Sequence, residues 1–167
     1  MDRKQETIFI AGLAIALSIV GIGQDEMKRS ALAVPAAKVA AVMLGAELNR
    51  DAAQNPVISA ANCPITVVPS CSGYDFLCLV FAFLAISWKS LPGLTRCAAA
   101  VPIALAVTVT VNAMRIVALF YVHTGTGGFL PERFFSGVHL LTGCAVFLCG
   151  FAALSALVMT RGSHASR

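Results

Sequence analysis

The sequence predicts an all-α integral membrane protein, a bundle of about four transmembrane helices forming a single membrane domain over residues 1–167. Composition and the spacing of apolar runs carry that prediction. The chain is 58% hydrophobic and only 12% charged, with a mean hydropathy of +0.83. Soluble domains carry about a quarter charged residues. Four apolar stretches, over about 7–24, 71–88, 97–122 and 137–160, approach the roughly 20 residues that a helix needs to cross a bilayer. The net charge of +4 comes from basic residues scattered singly, without the stripe that a nucleic-acid surface needs. Nucleic acid is therefore no partner, and the cations read as topology signals and neighbours of membrane lipids.

The first apolar stretch, Thr7–Gln24, is uncharged and follows Arg3 and Lys4. A cleaved signal peptide and a retained anchor both fit it. No small-x-small site stands directly behind it, which favours the anchor. Ser30–Leu48 is interrupted by Lys38 and Glu47, and Lys28 precedes it. Leu32, Val39, Val42, Met43 and Ala46 lie near one helical face. That pattern predicts an amphipathic helix at the interface rather than a span. Asn49–Asn55 is a polar break. Val57–Val68, with alternating Ile65, Thr66 and Val67 and punctuating Pro56, Pro64 and Pro69, predicts a short hairpin or extended loop.

Cys71–Trp88 is the second span, Lys89–Arg96 a tight basic loop with a Pro-Gly turn, and Cys97–Val122 the third span. His123–Ser136 holds three glycines and Pro131 and reads as a loop, with a short helix around Glu132–Phe135. Gly137–Thr160 is the fourth span. Four spans put both termini on one side and segment 25–70 on the other. The inner side would carry Arg3, Lys4, Lys89, Arg96, Arg161 and Arg167, with only Asp2 and Glu6 as acids. The outer side would carry Lys28, Arg29, Lys38, Arg50 and Arg133 with five acids: Asp25, Glu26, Glu47, Asp51 and Glu132. Basic residues in short loops set orientation, so both termini inside the cell is the expected arrangement in an inner membrane.

Under this topology Cys71, Arg115 and His139 share the extracytoplasmic side. Cys71 precedes the second span. Arg115 lies roughly 27 Å into the third, at 1.5 Å per residue. His139 stands in the first turn of the fourth. Each has an ordinary alternative: a packed or Cys63-paired thiol, a snorkelling arginine, an interfacial histidine. Their coincidence favours chemistry. Thr108, Asn112 and Arg115, at i, i+4 and i+7, form a polar stripe that should face the bundle interior. His139, Gly143 and Gly150 share a face of the fourth helix, where the glycines permit close approach or simply pack.

A thiol near a helix N-terminus or a cation is favoured as thiolate. Cys71 is placed where the second helix begins, with the N–H groups of Ser72, Gly73 and Tyr74 turned towards it. His139 could take and return its proton. Arg115 could stabilise an oxyanion or orient the scissile peptide. Asn112 could hold the arginine or the substrate backbone, and Asp75 reads as an exposed acid at the helix start. The six cysteines show no C-x-x-C and no zinc spacing. Cys78, Cys97, Cys144 and Cys149 lie within apolar runs as ordinary packing. No metal and no cofactor is called for.

The Cys-Ser-Gly of CSGYDF at 71–76, the N-x-x-R of NAMRIV at 112–117 and the H-x-x-x-G of HLLTG at 139–143 resemble, in order and placement, the three signatures of the exosortase/archaeosortase family. The resemblance covers about residues 60–155, and Ile65–Val68 resembles the family's segment leading into the cysteine. It implies a membrane cysteine protease/transpeptidase. The expected partner is an exported protein with a C-terminal motif, a transmembrane helix and a basic tail. Cleavage would proceed through a Cys71 thioester, with the acyl group passed to an acceptor. Cys71 would be the nucleophile, Arg115 and His139 would complete the site, and Ser72, Gly73, Asn112 and Gly143 would support it. Many members have more spans, and this compact form resembles the exosortase K group. Two other classes fit the residues: a thiol-disulfide membrane protein using Cys63 and Cys71, and a non-enzymatic scaffold with Arg115 on a lipid headgroup.

Overall fold

The computed structural model describes residues 26–60, 63–68, 71–88, 93–126 and 134–164. Their order is α1 (Glu26–Leu44), β1 (Glu47–Arg50), β2 (Pro56–Ala60), β3 (Cys63–Thr66), α2 (Tyr74–Ser87), α3 (Gly93–Thr126) and α4 (Phe135–His164). The apolar segment Thr7–Gln24 lies outside the described residues, as do 89–92 of the basic loop and 127–133 of the glycine-rich one.

In α1 the face packed inside the protein is an alanine face, distinct from the valine-rich face that the sequence reading assigned to the membrane interface. Ala33, Ala36, Ala37, Ala40 and Ala41 are buried, the i, i+3, i+4, i+7, i+8 series of one helical face. Val42, Met43 and Val39 instead point outwards, Val42 at 82% exposure. Small side chains let α1 come close to Ala113 and Ile116 of α3 and Ile58 of β2. The larger apolar ones are left for other surroundings. Gly45, at φ +61, ends the helix. Ala46 N–H donates to Ala41 O at 2.9 Å and Gly45 N–H to Val42 O at 3.2 Å. This is the paired closure that satisfies the last carbonyls and stops the helix before Ala46 and Glu47.

The predicted hairpin is present, as the β2–β3 half of a three-stranded antiparallel sheet in the order β1-β2-β3. Ile58 pairs with Ile65 on one side and Leu48 on the other. The first strand enters what reads in sequence as a polar break. A turn at 51–55 joins it to β2: Asn55 N–H and Nδ2 donate to the two Asp51 carboxylate oxygens at 2.7 and 3.1 Å. Those donors hold the Asp51 carboxyl below its ordinary range.

Among the described residues two helices are long and apolar enough to cross a membrane, Thr95–Gly125 and Ser136–Thr160. The chain's second predicted span appears as the 14-residue α2, about 21 Å long against a hydrocarbon core of about 30 Å. Helix α3 runs past Val122 to Thr126, so His123 is helical rather than in the loop. Thr124 Oγ1 donates back to Phe120 O at 2.9 Å. About 16 Å of helix therefore follows Arg115. Arg96, assigned above to an inner loop, is instead buried in α3 with its guanidinium donating to Ala85 O at 3.4 Å.

Helix α3 is the hub, touching α1, α2 and α4. Phe76, Val80, Leu84 and Ala85 of α2 pack on Ala100, Ala104 and Val111 of α3, and Val146, Phe147, Phe151 and Leu154 of α4 lie against this cluster. A Cβ at Gly150 would come within 2.8 Å of both Val111 methyls, so α3 and α4 touch closely there. The outward side of α4, including Leu140, Leu141, Leu148 and Leu157, is exposed.

Candidate active site

The cysteine segment is built by a turn and a glycine. Cys71 N–H donates to Val68 O at 2.8 Å. Gly73 then takes a left-handed conformation (φ 72, ψ 19) as N-cap of α2. A Cβ there would meet Asn112 and Thr108 at ordinary distances of 3.4–3.5 Å. Dihedral strain rather than lack of space therefore asks for glycine. The consequence corrects the sequence reading. The helix starts at Tyr74, three residues after Cys71, and its first-turn N–H groups belong to Tyr74, Asp75 and Phe76 rather than to Ser72 and Gly73. Ser72 is buried, and its hydroxyl accepts from Tyr74 N–H at a long 3.4 Å.

The polar stripe of α3 faces inwards: Thr108 and Asn112 are fully buried and Arg115 half-buried. Asn112 Nδ2 donates to the Cys71 carbonyl at 2.6 Å. The amide thus grips the cysteine's own backbone, not the arginine. Thr108 Oγ1, Asn112 Oδ1 and Arg115 Nε are buried without a partner among the described residues, three unmet hydrogen-bonding atoms along one face of α3. Such atoms cost about 1–3 kcal/mol each when left dry.

His139, in the second turn of α4, joins the other two. Its Nε2 lies 3.9 Å from Cys71 Sγ and 3.2 Å from Arg115 Nη2. Residues 71, 115 and 139 thus meet around one imidazole nitrogen. A guanidinium has donors only, so Nε2 presents its lone pair and Nδ1 carries the proton. Gly143, one turn further, makes room for the arginine: a Cβ would stand 2.7 Å from Arg115 Nε and 3.2 Å from Cζ. Beyond it the guanidinium carbon lies 5.3 Å from the centre of the Phe147 ring. Phe147 stacks on Phe76 of α2, centroids 4.7 Å apart and planes 11° apart. A cavity of about 380 Å³ opens beside these groups, lined by Ser72, Gly73, Asp75, Phe76, Arg115 and Phe147.

Other assignments fare variously. Asp75 is exposed, as read. Cys71, Cys78, Cys97, Cys144 and Cys149 are free thiols. Cys144 and Cys149 lie on the exposed side of α4 rather than in packing. Phe76 and Phe147 carry no mark in the sequence as site residues. Phe147 follows His139 and Gly143 at the same four-residue interval, yet an aromatic in an apolar helix reads as core.

No curated protein and no solved structure matches the chain. A family model described as transmembrane exosortase matches residues 5–156, a range that includes the cysteine turn, the polar stripe of α3 and the histidine of α4. The chain belongs to the transmembrane exosortase family.

Proposed function

We propose that the protein is a membrane cysteine transpeptidase that cuts a C-terminal sorting signal from exported proteins and transfers the new acyl end to an acceptor. Family membership supports the membrane location and the processing role. The observation that carries the mechanism is the shared nitrogen: His139 Nε2 within 3.9 Å of a thiol and 3.2 Å of a guanidinium.

In the proposed cycle Arg115 Nη2 leaves the Nε2 lone pair for the incoming carbonyl oxygen, Nε2 then accepts the Cys71 proton, and the thiolate attacks the scissile carbonyl carbon. The C–S bond forms as the carbonyl electrons move onto oxygen. Protonation turns Nε2 from acceptor to donor, so it can no longer receive Arg115 Nη2. The guanidinium stays with the new oxyanion. Collapse of the tetrahedral adduct breaks the C–N bond, His139 gives its proton to the leaving amine, and a Cys71 thioester remains. An acceptor nucleophile then attacks the thioester and the thiol is regenerated. Asn112, through the Cys71 carbonyl, and Gly73, through its left-handed turn, hold the nucleophile in register. Ser72 lines the adjoining cavity, and Gly143 leaves room for the arginine.

The arrangement proposed in the bilayer is one membrane domain over 1–167 with four spans, the site on the extracytoplasmic side of an inner membrane. In this arrangement Thr7–Gln24 anchors the chain, and α2 crosses with the help of its flanking residues. The outward Val39, Val42 and Met43 of α1 support a helix lying on the interface. The substrate is a protein carrying a short motif, an apolar helix and a basic tail.

The test is co-expression with a signal-bearing protein. Cys71→Ala, Arg115→Ala and His139→Ala are each expected to abolish its maturation while the variants accumulate in the membrane. Maturation by Cys71→Ala overturns the thiol mechanism.

A further inference from the structure

The position of Arg115 rests on more than His139. Its Nε is buried without a partner among the described residues. Its one polar contact among the described residues is the 3.2 Å bond to His139 Nε2. Its other fixed contact is the face of Phe147, 5.3 Å from Cζ, inside the roughly 6 Å over which a ring quadrupole attracts a cation. Phe147 is itself fixed from behind. It stacks nearly parallel on Phe76, which is 5% exposed and sits in the first turn of α2, just after the cysteine segment. His139, Gly143 and Phe147 recur every four residues on α4, one face of a helix. That face presents a hydrogen-bond acceptor, a gap and an aromatic plate to one guanidinium. The plate is braced by the helix that follows the nucleophile.

We propose that Phe147, backed by Phe76, is a positioning residue that acts through Arg115: it keeps the guanidinium beside the Cys71 thiol, above all when protonation of His139 removes the hydrogen bond. The inference rests on the reading of Cys71, Arg115 and His139 as one site. Of the described groups that attract Arg115, the ring is the one whose attraction does not depend on the state of the imidazole. A leucine would fill similar space and offer no π face.

The test needs no substrate. Protein in its native membranes is treated with anionic iodoacetate or neutral iodoacetamide, and the rate of Cys71 modification is followed on its own peptide by mass spectrometry. A cation held beside the thiol raises the iodoacetate-to-iodoacetamide ratio, whereas a general loosening of the fold moves both rates together. Arg115→Ala is expected to collapse the ratio. Phe147→Leu is expected to lower it roughly two- to thirtyfold, the range from an exposed to a desolvated cation–π contact. Phe147→Tyr, which keeps the face, is expected to preserve it. Phe147→Met serves if the leucine variant fails to accumulate. An unchanged ratio in Phe147→Leu or Phe147→Met, with collapse in Arg115→Ala, overturns the inference and leaves the site intact. Loss in Phe147→Tyr equal to that in Phe147→Leu also overturns it. An unchanged ratio in Arg115→Ala overturns the three-residue site itself.

Discussion

Replacing Gly143 by alanine inserts one methyl group where the structure has room for none without moving Arg115. The new Cβ would lie 2.7 Å from Nε and 3.2 Å from Cζ and Nη2. Restoring an ordinary 3.4 Å contact with Nε displaces the arginine by ~0.7 Å. The Arg115–His139 bond already measures 3.2 Å, the long end of the hydrogen-bond range. A displacement of that size breaks it or rotates it out of line. The fold pays little, because the group that yields is a flexible side chain. The displaced guanidinium is also out of register for the oxyanion it must meet, and a misaligned hydrogen bond from a charged donor there costs about 1.5–3 kcal/mol, or roughly ten- to a hundred-fold in rate. Gly143→Ala is therefore expected to slow maturation of a co-expressed signal-bearing protein by that factor, with membrane accumulation and melting temperature near wild type. Gly150→Ala is the matched control. Its Cβ would meet two Val111 methyls at 2.8 Å, so it should lower thermal stability and leave the rate per folded molecule unchanged. Wild-type maturation by Gly143→Ala, or equal effects of the two substitutions, refutes the assignment of the glycine to the arginine.

Three further outcomes follow from the geometry. Asn112→Ala leaves the Cys71 carbonyl without its 2.6 Å donor and should cost about 1–3 kcal/mol, read as a lower melting temperature in detergent; an unchanged value removes Asn112 from the cysteine's support. Gly73→Ala imposes a left-handed residue at φ 72 with little steric penalty, so a loss of about 1 kcal/mol is expected, and a loss several times larger would show that space, not dihedral strain, requires the glycine. At the 51–55 turn the depressed Asp51 carboxyl stabilises the fold above its ordinary value of 3.8 and that contribution disappears as pH falls through the folded value. Amide protection at Asn55 should accordingly hold from neutral pH down and drop in acid, whereas Asp51→Asn should abolish that drop.

Much of the site was legible because its members are costly in an apolar helix. An arginine and an asparagine three residues apart in α3, and a histidine near the start of α4, stand out against alanine and valine. The periodicity that placed Thr108, Asn112 and Arg115 on one face holds in the structure. What escaped sequence reading depends on small differences between apolar residues. The alanine face of α1 could not be told from its valine face by hydrophobicity alone; close approach to α3 selects it. The sequence alone starts α2 at Cys71 because 71–88 holds no proline and a single charge, Asp75. Only the left-handed Gly73 delays it to Tyr74. The target of Asn112, a backbone carbonyl, has no signature at all. Phe147 was invisible for the same reason that it is effective: it is an ordinary core residue on one face and a cation's seat on the other.

The central claim, that Cys71 is the nucleophile of this three-residue site, is tested most directly by capture of its acyl intermediate. Membranes holding wild-type protein and a signal-bearing substrate are quenched in acid, and the Cys71 peptide is analysed by mass spectrometry. The account predicts a thioester joining Cys71 to the upstream fragment of the substrate, released by hydroxylamine and lost in His139→Ala and Arg115→Ala. Turnover with no acyl group on Cys71, or the same fragment bound to another residue, contradicts it.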